Sequence, residues 1–349
     1  MPFCLALKVK SMFQLSLRSW KFRVGLIGLV AALAGAAAWA ALKTPTEANG
    51  AATGGEVWGA NHFPNVELTD HNGRKVRFYD DLIKGKVVVV SFVFTSCAAS
   101  CSLEVARLRE VQQLLGDRVG KDVFFYSLTI DPLTDTPEVL KKYAQQFGVG
   151  PGWLFLTGKE KDITLIRRKL GVFDDSDEGK SITEHSLHSV IGNQTTGRWM
   201  RGSPFENPYV TAMQLGSWLH NYKLPEKLGA SYSEAPTKML RMSKGEELFR
   251  SRCSSCHTIA GKAQVGMPRV GPDLKDITER RPRAWLMRWI KEPDRMLAEK
   301  DPTALQIYNQ YNKVQMPNLV LSMAEVNELL QFIETASKDD SYAKRAARE

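Results

Sequence analysis

Lys86-Val-Val-Val-Val-Ser-Phe-Val-Phe94 is the stretch that decides the fold of the first folded region, and two residues later it leads into Cys97-Ala-Ala-Ser-Cys101. A continuous run of β-branched and aromatic residues predicts a strand that is covered on both faces. Beyond the cysteines, a helix is predicted by the amphipathic pattern of Leu103, Val105, Leu108, Val111, Leu114 and Leu115. We therefore expect the two cysteines at a turn from a strand into a helix.

The same alternation of strands and helices continues along the chain. Further strands are predicted at 123–130, at 153–156 and as a pair near 188–201, and further helices at 136–147, 162–170 and 208–221. Such alternation indicates an α/β domain whose sheet contains parallel pairs and carries helices on both faces. Sites in open sheets of this kind lie outside the carboxyl ends of strands, which is where Cys97 falls.

Cys97 and Cys101 are spaced so that their sulfurs share one face of the predicted helix, one turn apart. A helix N-terminus favours thiolate over thiol, and two close thiolates can form a disulfide or hold a soft ion such as Cu(I). An inert structural disulfide is the plainer alternative in an oxidising compartment. Redox motifs of the Cys-x-x-Cys type are one residue shorter, so the spacing favours a metal over simple disulfide exchange.

A second chemical motif, Cys253-Ser-Ser-Cys-His257, follows a linker over 223–240 and a short predicted helix. Cys-x-x-Cys-His is the attachment signature of c-type haem, in which Cys253 and Cys256 form thioethers and His257 binds the iron. Half of a zinc site is the alternative, but no Cys or His follows His257 in the sequence. The sequence therefore predicts one covalently bound haem c in a second, helical domain.

The N-terminal region has the pattern of a membrane anchor. Residues 24–42 are 19 consecutive uncharged and mostly apolar residues, enough to span about 28 Å as a helix. Basic residues precede this span, so 1–23 is expected in the cytoplasm and the rest outside. A cleaved secretory signal is the alternative, because Ala38-Trp39-Ala40 has the form of a cleavage site. Both interpretations export everything after the tether at 43–59.

The net charge of +9 is concentrated at this end of the chain. Six basic residues and no acidic ones occur through Pro45, which leaves 41 basic against 38 acidic residues, or +3, for the remainder. A nucleic-acid-binding protein is therefore not expected. The 43% hydrophobic and 24% charged composition also excludes collagen-like, low-complexity and polytopic membrane proteins.

Four stretches of the first domain resemble the Sco/SenC family: Phe63–Gly73, Asp81–Lys86, Phe92–Cys101 and Thr129–Pro132. The resemblance covers about 60–222 and implies a thioredoxin-like fold in a membrane-tethered protein. It also implies copper bound by Cys97, Cys101 and a downstream histidine, for delivery to the binuclear copper site of cytochrome c oxidase or reduction of that site's cysteines. His185 matches the family motif and His188 is the second choice; Ser102 stands where the family usually has proline.

The second domain, at 241–337, resembles the class I cytochromes c. In that family Gly245 and Phe249 belong to the N-terminal helix. The Pro272 carbonyl would accept from the ring of His257 and fix its orientation. Met316, before a helix predicted at 322–335, would be the sixth iron ligand, with Met267 as the alternative. Methionine and histidine ligation leaves no open iron position and suits electron transfer.

Together these features predict a single-pass protein of the bacterial inner membrane with both folded domains in the periplasm and a charged tail at 338–349. The predicted function is copper delivery with one-electron redox chemistry during assembly of cytochrome c oxidase. Two alternatives stay open. One is a thiol-disulfide reductase that acts through Cys97 and Cys101 on an exported partner. The other is a plain anchored electron-transfer cytochrome.

Overall fold

The computed structural model describes residues 58–98, 101–173, 176, 188–203, 205–220, 242–261, 270–339 and 342. The predicted anchor at 24–42, nearly all of the tether and the whole linker lie outside these residues. Within the described part, no helix is long and apolar enough to cross a bilayer.

The described strands form one mixed sheet. In chain order they are β1 (Glu67–Asp70), β2 (Lys75–Arg77), β3 (Val87–Val93), β4 (Val123–Thr129), β5 (Trp153–Gly158), β6 (Ser189–Asn193) and β7 (Arg198–Gly202). Their spatial order is β2-β1-β5-β4-β3-β6-β7. The central strands β3, β4 and β5 pair in parallel, and the outer pairs are antiparallel.

Helices cover both faces of this sheet, as the run at 86–94 predicts. They are α1 (Cys101–Leu115), α2 (Pro137–Gln146), α3 (Glu160–Lys169) and α4 (Pro208–Gly216), with 3₁₀ turns at Gly116–Arg118 and Trp218–His220. Along β3, Val87, Val89 and Val93 pack beneath α1, α2 and α4. Val88, Val90 and Phe92 pack on the opposite side, beneath α3. Every residue of β3 is buried, so the strand before the cysteines is fixed from both sides.

The β1–β2 hairpin and the π-helical turn Phe78–Ile83 that follows it were not predicted from the sequence. Both strands are very short, and the exposed Lys75 and Arg77 give β2 no apolar run to recognise. The hairpin is held instead by the buried Asp70, which accepts from the backbone N–H groups of Asn72 and Arg74 at 2.8 and 2.9 Å. These hydrogen bonds and the Arg74 guanidinium lower the pKa of Asp70 although burial opposes the shift.

The C-terminal domain is entirely helical in its described residues. Its helices are α5 (Lys244–Arg252), α6 (Ile277–Arg280), α7 (Arg283–Lys291), α8 (Pro293–Ala298), α9 (Pro302–Gln310) and α10 (Met323–Lys338). Helix α5 crosses α10 at Gly245, where an added Cβ would lie 2.2 Å from the Glu328 carbonyl oxygen. Phe249 packs on Phe332 beside this crossing, with ring centroids 5.7 Å apart. The thioredoxin-like mixed sheet followed by a helical domain confirms the predicted fold class for both folded regions.

Candidate functional site

The first cysteine pair lies at the carboxyl end of β3, one of the three parallel central strands of the sheet. Cys97 follows the strand by four residues, and Cys101 is the first residue of α1. Both are free thiols, and their exposed fractions are 6% and 0%. They form a small apolar cluster with Phe94 and the half-buried Ile130. The turn therefore holds two adjacent sulfurs out of contact with water.

A buried carboxylate, Asp135, braces the turn from the neighbouring strand. Its oxygens accept from the Thr95 backbone N–H at 3.1 Å, from the Thr95 hydroxyl and from the Thr129 hydroxyl. Asp131, four residues earlier, accepts from the Asp135 backbone N–H through its own backbone carbonyl at 2.9 Å. Asp135 thus ties the end of β3 to the end of β4, and its partner Thr95 is 40 residues away in sequence.

The electrostatics of the turn favour a neutral thiol at Cys101 when no cation is bound. A hydrogen bond with Cys97, burial and the charge that Cys97 would carry all raise the pKa of Cys101. The expected stabilisation of thiolate by the helix N-terminus is therefore outweighed by these neighbours. Burial also raises the pKa of Glu104 to about 8, with a contribution from Cys97. Glu104 is 2% exposed, and its Oε1 has no hydrogen-bond partner among the described residues.

The third predicted copper ligand, His185, lies outside the described residues. His188, the second choice, is described and exposed, immediately before β6. Among the residues with described positions, no group of three or more His, Cys, Asp or Glu side chains is arranged to hold a metal ion. The structure therefore brings Cys97 and Cys101 together and leaves the assignment of the histidine as a prediction.

The second cysteine pair lies at the C-terminal end of α5. The backbone N–H groups of Cys253 and His257 donate to the carbonyls of Phe249 and Cys253, each at 2.9 Å. His257 Nδ1 donates to the Pro272 carbonyl at 2.9 Å, which leaves Nε2 free to bind a metal. A Cβ at Gly271 would lie 2.8 Å from His257 Cε1, so glycine permits the loop to approach the ring this closely.

Asp273 braces this loop, and the sequence argument did not single it out. Its carboxylate accepts from the Thr258 hydroxyl and from the backbone N–H groups of Ala260 and Gly261, the latter two at 3.3 and 3.2 Å. The Leu274 N–H donates to the Thr258 carbonyl at 2.7 Å. These contacts fix the segment that carries Pro272 against the segment that carries His257.

A cleft separates this loop from the segment that carries Met316. Its lining is mostly apolar and includes Leu103, Cys253, Cys256, His257, Val270, Pro272, Trp289, Leu297, Ile307, Met316 and Leu319. Burial raises the pKa of both cysteines to about 12 and lowers that of His257, which favours a neutral imidazole. Two thiols, an oriented imidazole and a thioether around an apolar cleft fit a covalently attached haem. Met267 lies outside the described residues.

The two cysteine sites meet on α1. Leu103, one turn from the start of this helix, also lines the cleft beside Cys253 and Met316. The Asn318 N–H donates to the Ala98 carbonyl at 2.9 Å, between the two cysteines of the first pair. Each site was predicted from the sequence, but the Asn318–Ala98 contact was not, because no spacing between neighbouring residues indicates it.

Comparison with known proteins separates the chain into two families. A family model described as SCO1/SenC matches residues 59–214, and one described as Cytochrome c matches residues 242–337. SCO2-like proteins of Rickettsia prowazekii and Rickettsia felis are 31% and 34% identical over 140 and 132 residues, which are 39% and 36% of this chain. The chain spans 65% and 62% of the lengths of these two relatives.

Among solved structures, copper-bound ScoI of Bradyrhizobium japonicum is 25% identical to this chain. It aligns over 43% of this chain and 94% of its own, with a TM-score of 0.36. The mixed sheet with its cysteine turn and the helical domain with its Cys-x-x-Cys-His loop agree with the two family matches. Residues 59–214 therefore match the SCO1/SenC family, and residues 242–337 match the cytochrome c family.

Proposed function

We propose that this protein is a membrane-anchored, copper-binding Sco protein that uses a fused c-type haem to set the oxidation state of the copper it delivers. The observation that carries the proposal is that the buried Cys97–Cys101 pair and the cleft between His257 and Met316 adjoin the same turn of α1. The destination of the copper is the binuclear copper site of cytochrome c oxidase. The match of residues 59–214 to the SCO1/SenC family model supports this assignment.

Copper is the cargo in this scheme. The thiolates of Cys97 and Cys101 and the imidazole of His185 would hold it. Two soft thiolates with one imidazole suit Cu(I), and the set accepts Cu(II) with an added ligand. Because the pKa of Cys101 is raised, binding of the cation displaces protons, so uptake should strengthen as pH rises.

The residues of the cytochrome domain would hold and orient the redox partner of the copper. Cys253 and Cys256 would provide thioethers, and His257 and Met316 would be the axial ligands. When bound, haem supplies a one-electron couple, which matches the one-electron step between Cu(II) and Cu(I), whereas a disulfide requires two electrons. The Pro272 carbonyl fixes the His257 ring, and the apolar lining of the cleft excludes water from it.

The proposed location is the periplasmic side of a bacterial inner membrane, with 24–42 as the anchor. Its support is the apolar run and the basic residues before it. Export also agrees with the chemistry, because an oxidising compartment holds Cys97 and Cys101 as a disulfide unless electrons are supplied.

The proposal is tested by mixing the ferrous, copper-free protein with Cu(II) and following the haem absorption bands. We expect rapid oxidation of the haem with one Cu(II) consumed per protein, since one electron passes from iron to copper. In the double variant Cys97→Ser/Cys101→Ser this phase should disappear. Cys4→Ser makes the same chemical change outside both motifs and should leave it intact. Equal rates in the double variant and the wild type would exclude the cysteine pair from the reaction.

A second candidate, a thiol-disulfide reductase, is favoured by Glu104. A buried carboxyl group with a pKa of about 8 beside Cys97 is suited to exchanging protons with a thiol during disulfide chemistry. The reductase would accumulate a mixed disulfide between Cys97 and its partner in a Cys101→Ser variant, and the purified protein would contain no copper. Metal analysis of the wild type and of His185→Ala distinguishes the two functions.

A further inference from the structure

One stripe of α1 faces the cytochrome domain. Leu103, Arg107 and Glu110 follow at intervals of four and three residues, so their side chains share one face of the helix. Leu103 lines the cleft of the cytochrome domain. Arg107 Nη2 donates to the Arg250 carbonyl at 2.7 Å, in the last turn of α5. Glu110 lies close to Ser255, between the two cysteines of the haem motif.

Arg107 is the polar centre of this contact. It is 6% exposed, and its guanidinium donates to the Arg250 carbonyl, which also accepts from the Ser254 hydroxyl at 2.8 Å. A positive charge is favourable at a helix C-terminus, and the negative charge of Glu110 compensates it from the same helix. Removal of the cytochrome domain would leave the guanidinium without its acceptor, so this side chain depends on the contact.

A second contact lies directly on the cysteine turn. The Asn318 N–H donates to the Ala98 carbonyl at 2.9 Å, and Asn318 Nδ2 donates to Asp294 Oδ1 at 2.9 Å. The segment of Met316 is thereby held both to its own domain and to the residue after Cys97. Away from the turn, the Arg252 guanidinium lies over the Phe205 ring, 5.4 Å from its centroid.

We propose that this face of α1 is a docking surface for the chain's own cytochrome domain, that Arg107 holds it, and that docking closes the Cys97–Cys101 pair to outside molecules. The proposal deepens the proposed function, because the surface that brings the haem cleft to the cysteines is also the surface by which a copper acceptor would reach them. An external partner has to replace the cytochrome domain. The surface fits a protein that presents an apolar group to Leu103 and a carbonyl or carboxylate to Arg107.

Alkylation of the cysteines by iodoacetamide tests the docking. The measurement uses the full-length, haem-loaded, copper-free protein with its thiols reduced, and mass spectrometry follows the peptide that contains Cys97 and Cys101. In this reaction the thiolate sulfur displaces iodide, so the rate reports how often the turn is open. We expect Arg107→Met to raise the rate by roughly ten- to a hundredfold, the effect of losing a buried hydrogen bond from a charged donor.

Arg109→Met is the matched control. Arg109 lies two residues along the same helix, and its Nε donates to the Gly148 carbonyl at 2.7 Å within the first domain. This variant should react at the wild-type rate, and Arg107→Lys should react at a rate between those of wild type and Arg107→Met. An unchanged rate in Arg107→Met, or equal increases in both methionine variants, would overturn the proposal, because the latter indicates general loosening of α1.

A second variant addresses the Met316 segment without touching α1. Asp294→Ala removes the acceptor for Asn318 and should raise the alkylation rate several-fold, while Asp294→Asn keeps an oxygen acceptor and should restore the slow rate. No change in Asp294→Ala would overturn the part of the proposal that assigns closure to this segment. The readout needs no copper, so a failed copper-reduction test with the expected alkylation rates would reject the proposed function and leave the docking surface standing.

Discussion

The two cysteine pairs of this protein lie at opposite ends of helices and differ in their neighbours. Cys101 begins α1, whereas Cys253 follows the last residue of α5. The polarity of a helix should favour thiolate in the first pair and oppose it in the second. Cys101 in the first pair and both cysteines of the second nevertheless have raised pKa values, Cys101 through its hydrogen bond with Cys97 and burial, and Cys253 and Cys256 through burial. Helix polarity alone therefore does not decide the state of these thiols.

The residues that surround each cysteine pair distinguish the chemistry available to the two pairs. Glu104 lies beside the first pair, and the guanidinium groups of Arg107 and Arg252 lie near the second. The predicted imidazole partner of the second pair, His257, is adjacent in the chain, whereas that of the first pair, His185, is distant in the sequence. This difference agrees with the proposed reversible ligand at the first pair and the proposed permanent attachment at the second. In both loops a single aspartate, Asp135 or Asp273, fixes the backbone.

The largest expected effect concerns which of the two cysteine pairs attaches haem. Cys253→Ala/Cys256→Ala should abolish haem that survives denaturation, because no other thiols are available at this loop. Cys97→Ala/Cys101→Ala should retain the full amount. Haem staining of denaturing gels checks both variants. Haem that stays bound through denaturation in the first variant would contradict the assignment of the attachment site.

The next effect concerns the brace of the first pair. Asp135→Ala should lower the free energy of unfolding by about 3 kcal/mol, because the half-buried Thr95 and the buried Thr129 lose a charged acceptor. Denaturant unfolding followed by near-ultraviolet circular dichroism measures the change. Asp131→Ala in the same segment should cost less than about 1 kcal/mol. Equal losses in the two variants would remove the special role given to Asp135.

The third prediction uses the pKa of Glu104. Its pKa is raised from 4.5 to about 8, so between these values the folded state keeps a proton that the unfolded state has lost. Stability therefore falls as pH rises through this window, by up to about 1.4 kcal/mol per pH unit. We expect the wild type to lose about 2 kcal/mol relative to Glu104→Gln between pH 6.0 and pH 7.5. Parallel stability curves, measured by urea unfolding with the thiols reduced, would contradict a raised pKa.

The smallest effect concerns the brace of the second pair. Thr258→Val removes one of the hydrogen bonds to Asp273 and leaves those from Ala260 and Gly261. The expected loss is about 1 kcal/mol, seen as a lower urea midpoint of the haem-loaded protein. Thr335→Val, on an exposed face of α10, is the control and should change the midpoint little. A loss of several kcal/mol would mean that the two loops are braced differently.

Local patterns in the sequence predict most of the fold and both motifs. Three features can be recognised without the structure because each depends on residues that are close in sequence. They are the buried run at 86–94, the alternation of strands and helices after it, and the Cys-x-x-Cys-His motif. The hairpin of β1 and β2 could not be recognised, because its strands are short and β2 has exposed charged residues. Helix α4 also ends at Gly216 rather than at 221, and a 3₁₀ turn follows it.

The parts of the site that escaped prediction depend on contacts that are distant in sequence. Thr95 and Asp135 are 40 residues apart, and Arg107 and Arg250 are 143 residues apart. Taken alone, each of these residues is of a type that is common at surface or helix-capping positions. Only the fold brings the partners together, which is why Asp135, Asp273 and the contact of α1 with α5 appear in the structure and not in the sequence argument.

The position of β3 also determines how opening of the cysteine turn relates to unfolding of the domain. Backbone amides at the centre of a doubly flanked strand exchange with solvent only when the whole cooperative unit opens. β3 pairs with β4 on one side and with β6 on the other, and all seven of its residues are buried. Opening of the cysteine turn without global unfolding must therefore be confined to the chain beyond Val93, so opening of the turn and global stability can vary independently.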